Sequence, residues 1–171
     1  LSSLAPFTYR PTVRGDLIPL ADDAIVAAAQ VMGVRPLLHL ANLTETDSFS
    51  GELAHALLSS PEARTRLADN LMEILRRKGY RGIDVDLESV FPEDAQNYVR
   101  FLFLLRERLE PLGYPLLAAL APKTSASQQG ELYQGHDYRG LGEAANGVLL
   151  MTYEWGYALS LIHISEPTRH A

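Results

Sequence analysis

The stretch "YRGIDVDLESVF", residues 80–91, decides how this sequence folds and which chemistry it carries. Asp84, Asp86 and Glu88 occupy alternate positions and are separated by single apolar residues. Successive side chains of a strand point to opposite faces, so the three acids share one face and the apolar residues share the other. The pattern predicts a strand over Gly82–Glu88 whose apolar face packs on helices and whose acidic face lines a site.

The regions on both sides of this strand alternate short apolar runs with helical periodicity. One helix has clear end signals, with Ser60 as the N-cap, Pro61 at the first helical position and Gly79 at the end. Further strands are expected over Ser3–Tyr9, Arg35–Ala41, Pro115–Ala121 and Gly147–Tyr153, and further helices over Asp22–Met32, Gly51–Leu58, Pro92–Leu109 and Tyr138–Ala145.

This alternation predicts an α/β fold with a parallel sheet, either an open doubly wound sheet or part of a (β/α)8 barrel. No Gly-rich phosphate loop follows any of the predicted strands, which favours the barrel. Functional residues of a barrel gather where its strands end. The polar residues at the predicted strand ends are Tyr9 and Arg10, Asn42, Asp86 and Glu88, Lys123, and Tyr153, Glu154 and Trp155.

Three carboxylates on one face of a buried strand are costly, because each loses its hydration and each repels the others. We therefore expect the three acids to share protons, with the pKa of at least one of them raised. A protonated carboxylic acid beside an ionised one is what sugar-bond cleavage uses. Two alternatives stay open: an exposed face paired with Arg or Lys, or a divalent metal held by the three carboxylates. The metal reading ranks low, because no His lies near the motif in the sequence.

Composition narrows the class of protein further. The chain has 171 residues, about the size of one domain, and a net charge of −6 without any long Lys/Arg run, which argues against a nucleic-acid partner. No apolar run approaches the ~20 residues of a membrane helix, and residues 1–10 lack the features of a signal peptide. The chain has no cysteine, and nothing in the sequence specifies an oligomeric state.

The segment "RGIDVDLE", residues 81–88, resembles the active-site strand of family-18 glycoside hydrolases, whose signature is D-G-x-D-x-D-x-E. Arg81 stands where the signature has its first Asp. "VLLMTYEWGY", residues 148–157, resembles the M-x-Y-D element of the same family, with Glu154 in place of the Asp. The resemblance extends over residues 3–157 and is greatest to the spore-associated peptidoglycan hydrolases within the family.

The resemblance implies a (β/α)8 barrel, of which this chain would hold strands two to six. It assigns Glu88 as the general acid, Asp86 as the partner of the substrate's acetamido group, Asp84 as the residue that tunes Asp86, and Tyr153 as a donor to the acetamido carbonyl. The sugar's own acetamido oxygen then serves as the nucleophile, so the enzyme retains configuration and needs no metal or organic cofactor. The implied partner is an N-acetylated glycan, either peptidoglycan or chitin-like, in the spore or cell wall.

Five residues are expected to bind this substrate: Glu154, Trp155, Asn42, Lys123 and Tyr9. Arg81 is expected to remove one carboxylate from the proton relay. Together with Glu154 in place of Asp and Asn42 in place of a Ser/Gly-rich turn, this departure from the chitinases fits peptidoglycan better than chitin. His39 lies in an apolar stretch and is expected to be a packed core residue, and His136 is expected to have no part in the site.

The tail, residues 159–171, resembles the in-frame translation of a sequencing-library adaptor rather than the family. Residues 1–158 are therefore expected to be a partial family-18 catalytic domain that is poorly stable and inactive alone, because a barrel needs about 250 residues. Two alternatives to the hydrolase remain: a non-catalytic chitin- or peptidoglycan-binding module of the same fold, and a metal-dependent barrel hydrolase.

Overall fold

A computed structural model describes residues 2–122, 130 and 134–152. Its centre is a parallel sheet of five strands in the order β2-β4-β5-β6-β7. The strands are β1 Ser3–Leu4, β2 Thr8–Tyr9, β3 Arg35–Pro36, β4 Leu38–Ala41, β5 Ile83–Asp86, β6 Leu116–Leu120 and β7 Gly147–Leu150. The helices are α1 Asp23–Val31, α2 Gly51–Ser59, α3 Pro61–Lys78, α4 Ala95–Leu109 and α5 Tyr138–Ala144, with 3-10 turns at Pro92–Asp94 and Glu110–Leu112.

The first two predicted strands are each divided in two. The run Ser3–Tyr9 splits around Pro6, so that β1 pairs with β3 and β2 pairs with β4. Proline has no backbone N–H and cannot continue a ladder of hydrogen bonds. The run Arg35–Ala41 likewise splits after Pro36. The central strand is shorter than predicted, because β5 ends at Asp86.

Helix α3 shows why the sequence signals placed its ends correctly. The Ser60 hydroxyl accepts a hydrogen bond from the Ala63 N–H at 3.1 Å, and Gly79 ends the helix with a left-handed φ of 82°. The apolar side chains between these ends recur at helical spacing and are buried, among them Leu67, Leu71 and Leu75. Each such burial contributes about 1.5–3 kcal/mol, which binds the helix to the sheet.

The helices of the described residues cover one face of the sheet. Leu38, Ile83 and Leu116 align across neighbouring strands, and all three belong to the apolar core that also includes side chains from each helix. The alternate residues His39 and Asp84 also align with each other, and they point to the opposite face. The acids therefore lie on a face that no described helix covers, unlike the faces of a doubly wound sheet.

Strand β7 leaves a row of apolar side chains in contact with solvent at one edge of the sheet. Val148, Leu149 and Leu150 are 41%, 46% and 53% exposed. Among the helices of the described residues, none has both the length and the apolar character needed to cross a membrane.

Candidate active site

The site begins with the register of β5 against its neighbours. Asp84 lies beside His39 of β4 on one side and beside Leu117 of β6 on the other, while Asp86 lies beside Ala41. Asp84 is 8% exposed and Asp86 is partly buried. The parallel ladder thus places the two carboxylates on the same face at successive levels, as the alternating sequence predicts.

An imidazole lies between these two carboxylates. The Nδ1 atom of His39 is 3.1 Å from Oδ2 of Asp84, and its Nε2 atom is 3.9 Å from Oδ2 of Asp86. The prediction that His39 is an ordinary packed core residue is therefore wrong. The pairing joins residues 45 positions apart in the chain, which is why a local motif could not reveal it.

Burial dominates the electrostatics of Asp86. It raises the pKa of that carboxyl above its usual value, and the nearby charge of Asp84 raises it further, while His39 acts in the opposite direction. One oxygen of each acid, Oδ1 of Asp84 and Oδ1 of Asp86, is buried without a hydrogen-bond partner among the described residues. The expectation that one acid of the group has a raised pKa is confirmed at Asp86.

Glu88 follows the strand, and its backbone is held by the side chain of Asn42. The Asn42 Oδ1 atom accepts from the Glu88 N–H at 3.0 Å, and its Nδ2 donates to the Glu88 carbonyl at 2.9 Å. The same Nδ2 donates to the Ser50 carbonyl at 2.8 Å. The Asn42 carboxamide therefore extends the hydrogen bonding between β4 and β5 past Asp86, where the strand ends.

Asn42 was expected to contact substrate, but the structure gives it a different environment. It is fully buried, and both ends of its carboxamide bind the protein backbone. It lies close to Glu88, the general-acid candidate, but it binds the Glu88 backbone and not a substrate. Asn42 and Glu88 are 46 residues apart in the chain, so no local sequence pattern indicates this contact.

Close packing fixes the segment that follows Glu88. Ser89 has a left-handed φ of 54°, which is unusual for a residue with a side chain. A Cβ at Gly135 would lie 1.9 Å from the Val90 carbonyl oxygen, so only glycine fits there. His136, which was expected to have no part in the site, lies with its Nε2 2.8 Å from the Leu87 carbonyl oxygen. The turn is thus held by the segment that precedes α5.

A groove of about 470 Å³ opens beside this turn. Two aromatic residues, Phe49 and Phe91, line it together with polar groups. The remaining lining residues are Ser50, Gly51, Glu52, Ser89, Val90, Pro92 and Gln134. Aromatic faces with hydrogen-bonding groups around them suit the binding of a sugar ring.

Tyr9 does not join the acids. It is fully buried, and its hydroxyl donates to Oδ2 of Asp22 at 2.7 Å. In register it aligns with Leu40, whose side chain faces the helices, so Tyr9 points away from the face that carries Asp84. The expectation that Tyr9 binds substrate does not agree with this placement.

Arg81 also lies apart from the acids. It is exposed and lines a surface cavity with Arg35 and Gln30, before the start of β5. The Asp that the family signature has at this position would lie there too, so its replacement removes no carboxylate from the acid cluster. Tyr153, Glu154, Trp155 and Lys123 lie outside the described residues.

No group of three or more histidine, aspartate or glutamate side chains within residues 2–122, 130 and 134–152 has the arrangement of a metal site. The described geometry therefore contributes nothing in favour of the metal-dependent alternative. What it does provide is a carboxyl with a raised pKa, a second carboxyl paired with an imidazole, and a third acid whose backbone is held in place.

The family model for glycosyl hydrolases family 18 matches residues 40–168, which include the acid strand and most of the chain. This chain belongs to family 18 of the glycosyl hydrolases. The matched range also reaches into residues 159–171, and the expectation that this tail is foreign stays a prediction.

Relatives of this family-18 chain include cortical fragment-lytic enzymes of two bacilli. The enzyme of Bacillus subtilis (strain 168) is 38% identical over 160 residues, which is 92% of this chain and 36% of that protein. The enzyme of Bacillus anthracis is 35% identical over 158 residues, again 92% of this chain and 36% of that protein. The chain thus spans about a third of the length of these relatives.

Solved structures of similar proteins share the fold of this chain. The spore cortex-lytic enzyme SleL of Bacillus cereus superposes with a TM-score of 0.85 at 34% identity, covering 92% of this chain and 36% of that one. SleL of Bacillus megaterium QM B1551 gives a TM-score of 0.84 at 34% identity, with the same coverage. A chitinase from Chromobacterium violaceum, at 23% identity and a TM-score of 0.83, shares the fold and covers 91% of this chain and 50% of that one.

Proposed function

We propose that the full-length protein carrying this chain is a retaining glycosidase that cleaves peptidoglycan glycan, in the spore cortex, at N-acetylglucosamine. The observation that carries the proposal is the acid strand itself. Asp86, with its raised pKa, shares with Asp84 a face that no described helix covers, and the backbone of Glu88 is held just beyond them. Membership of family 18 and the similarity to cortex-lytic enzymes support the same conclusion.

The proposed first step needs no protein nucleophile. The acetamido oxygen of the bound sugar attacks the anomeric carbon of the same sugar, the glycosidic bond breaks, and Glu88 gives its proton to the leaving oxygen. The product on the enzyme is a cyclic oxazolinium ion. Asp86 holds the acetamido group and balances its positive charge, and Asp84 adjusts the proton of Asp86. Tyr153 donates to the acetamido region.

The second step returns the enzyme to its starting state. Water attacks the anomeric carbon, its proton passes to the Glu88 carboxylate, and the oxazolinium ring opens to restore the acetamido group. Two inversions at the same carbon give overall retention. The mechanism requires an N-acetyl group on the cleaved sugar, which is why the proposed substrate is an N-acetylated glycan in the spore or cell wall.

The substrate contacts and the full architecture are part of the same proposal. Glu154, Trp155 and Lys123 would line the glycan cleft, with Trp155 stacking on a sugar ring. The sheet would be strands two to six of a (β/α)8 barrel, and its one-sided helical covering supports this reading. Residues 1–158 would be a partial catalytic domain, poorly stable and inactive without the remaining strands, and residues 159–171 would lie outside it.

Glu88→Gln in the full-length protein tests the proposal. The amide keeps the shape of the side chain but cannot donate the proton, so release of reducing ends from purified cortex glycan should fall about 100- to 10,000-fold. Glu143→Gln is the matched control, because Glu143 forms an exposed ion pair with Arg139 on α5. Wild-type protein should also leave a de-N-acetylated glycan intact.

Three outcomes would contradict the mechanism. Equal product release by wild type and Glu88→Gln would remove Glu88 from catalysis. Binding of glycan without release by either protein would identify a binding module of the same fold. Activity lost on adding a chelator and restored by Mg²⁺ or Mn²⁺ would indicate the metal-dependent alternative.

A further inference from the structure

His39 lies within 4 Å of both aspartates of the acid strand. Its side chain is 20% exposed, so solvent has little access to it. Its two ring nitrogens point toward different carboxylates, Nδ1 toward Asp84 at 3.1 Å and Nε2 toward Asp86 at 3.9 Å. A packed core histidine would not need this arrangement of both nitrogens.

The charged groups beside His39 come from strand β5. Strand β5 supplies Asp84 and Asp86, and Thr8, which aligns with His39 on β2, carries no charge. Arg10 follows β2, but its guanidinium is paired with Asp47 and donates to the Thr44 carbonyl. Among the described residues, the ion pairs of His39 are with the two aspartates alone.

An imidazole between two carboxylates can accommodate a change in the number of protons. The imidazolium form carries a proton on each nitrogen, so it donates a hydrogen bond from Nδ1 to Asp84 and attracts the Asp86 carboxylate, 3.9 Å from Nε2, through its charge. The neutral form keeps a proton on one nitrogen only and can still bind Asp84. Either state avoids direct contact between two negative charges. This matters here because one oxygen of Asp84 and one of Asp86 are buried without partners among the described residues.

We propose that His39 is a positioning residue that holds the Asp84 carboxylate and sets the charge of the Asp84–Asp86 pair during hydrolysis. The inference rests on the proposed function, since it names a further residue of the same site. It agrees with the direction in which His39 acts on Asp86, because its charge opposes the effect of burial on the pKa of that carboxyl.

His39→Asn in the full-length protein tests the proposal. The Asn amide can replace Nδ1 as a donor to Asp84 but cannot carry a charge. The acidic limb of the kcat/KM profile on cortex glycan should therefore move to higher pH, by on the order of one unit, while KM at the optimum stays near that of wild type. His39→Leu, which removes the donor as well, should lower kcat about tenfold or more.

His55→Asn is the matched control, because His55 also pairs with an aspartate, Asp94 at 2.7 Å, on the helical side of the fold. Its activity profile should superpose on that of wild type. If the pH profile of kcat/KM for His39→Asn also superposes on that of wild type, the proposal is overturned and His39 has only a packing role.

A measurement without turnover separates this inference from the proposed function. Replacing Asp84 by Asn should move the ring ¹⁵N resonances of His39 in the full-length protein and leave those of His55 unchanged. If His39 does not respond, the proposed coupling is wrong whatever the activity. If it responds while wild type releases no glycan fragments, the coupling is supported and the hydrolase assignment fails.

Discussion

Two aspartate sites lie on opposite faces of the same sheet, and they differ in how many of their carboxylate oxygens have partners. Asp22, on the helical side, is 1% exposed, and both of its oxygens have partners. Tyr9 and Tyr80 donate to one oxygen, and Lys78 pairs with the other. Asp84 and Asp86, on the other face, share one imidazole and each keep an oxygen without a described partner.

The pKa directions express the same difference. Burial alone would raise the pKa of Asp22, but hydrogen bonds from Lys78, Tyr80 and Tyr9 outweigh it and lower the value. Burial, followed by the hydrogen bond to Asp22, raises the pKa of Tyr9 to about 12. At Asp86 burial prevails and the pKa is raised. The carboxylate with hydrogen-bond partners on both oxygens thus has a lowered pKa, whereas the one that keeps an oxygen without a described partner has a raised pKa.

The largest expected effect is on stability. Asp22→Asn leaves Lys78, whose side chain is 8% exposed, paired with the exposed Asp23 at 3.3 Å, and removing one partner of such a pair costs up to about 3–5 kcal/mol of unfolding free energy. Urea denaturation of the full-length protein at neutral pH measures the loss. Asp86→Asn is the matched change and should leave the unfolding free energy equal or higher while hydrolysis is lost. Equal destabilisation by both variants would erase the distinction between the two sites.

A second pair of variants compares the two asparagines that hold strand backbones. Asn42 binds the backbone of Glu88, and Asn146 Oδ1 accepts from the Leu116 N–H at 2.9 Å, where β6 begins. Replacing either by Ala leaves a backbone N–H without its acceptor and should cost about 1–3 kcal/mol. Asn42→Ala should also lower kcat about ten- to a hundredfold, because the general acid loses its anchor.

The kinetic readout separates the two asparagines. Asn146→Ala should keep the wild-type kcat, measured on the folded fraction, whatever it loses in stability. A fall in kcat of the same size in both variants would mean that Asn42 acts only through general stability.

The pH dependence of stability should have opposite signs at the two aspartate sites. Because the folded-state pKa of Asp22 is lowered, its contribution is present above the unfolded value of about 3.9 and is lost as the pH falls through the folded value. Because that of Asp86 is raised, its ionisation costs stability as the pH rises from about 3.9 through the folded value.

Denaturation series between about pH 3 and 7 can measure these slopes. The difference in unfolding free energy between wild type and Asp22→Asn should grow as the pH rises. The difference between wild type and Asp86→Asn should shrink or become negative over the same range. Slopes of the same sign would show that the two carboxylates have similar environments.

The smallest expected effect concerns a third, more open pair. The hydrogen bond to Asp94 raises the pKa of His55, so its stabilising contribution is present below the unfolded value of about 6.5 and is lost as the pH rises through the folded value. Wild type should therefore have a slightly higher Tm than His55→Asn at acidic pH and an equal Tm well above neutral pH. A difference that persists at alkaline pH would point to packing against Phe91 instead.

Local patterns were enough to predict much of this protein. The end signals at Ser60, Pro61 and Gly79 located α3, because a helix end is decided by residues within one turn of it. Alternation placed Asp84 and Asp86 on one face, because a strand has a period of two. Alternation alone does not predict the division of Ser3–Tyr9, because the break comes from Pro6, which has no backbone N–H for the ladder.

The sequence by itself determined the acid strand, its flanking helices and membership of the chitinase-like family, all of which depend on residues close together in the chain. Only the tertiary structure decided which of the polar residues meet. It brought His39 to Asp84 and Asn42 to Glu88, and it turned Tyr9 toward Asp22 on the other face. These contacts depend on the register of parallel strands joined by long helical crossovers, and pairings across such distances leave no periodic trace in the sequence.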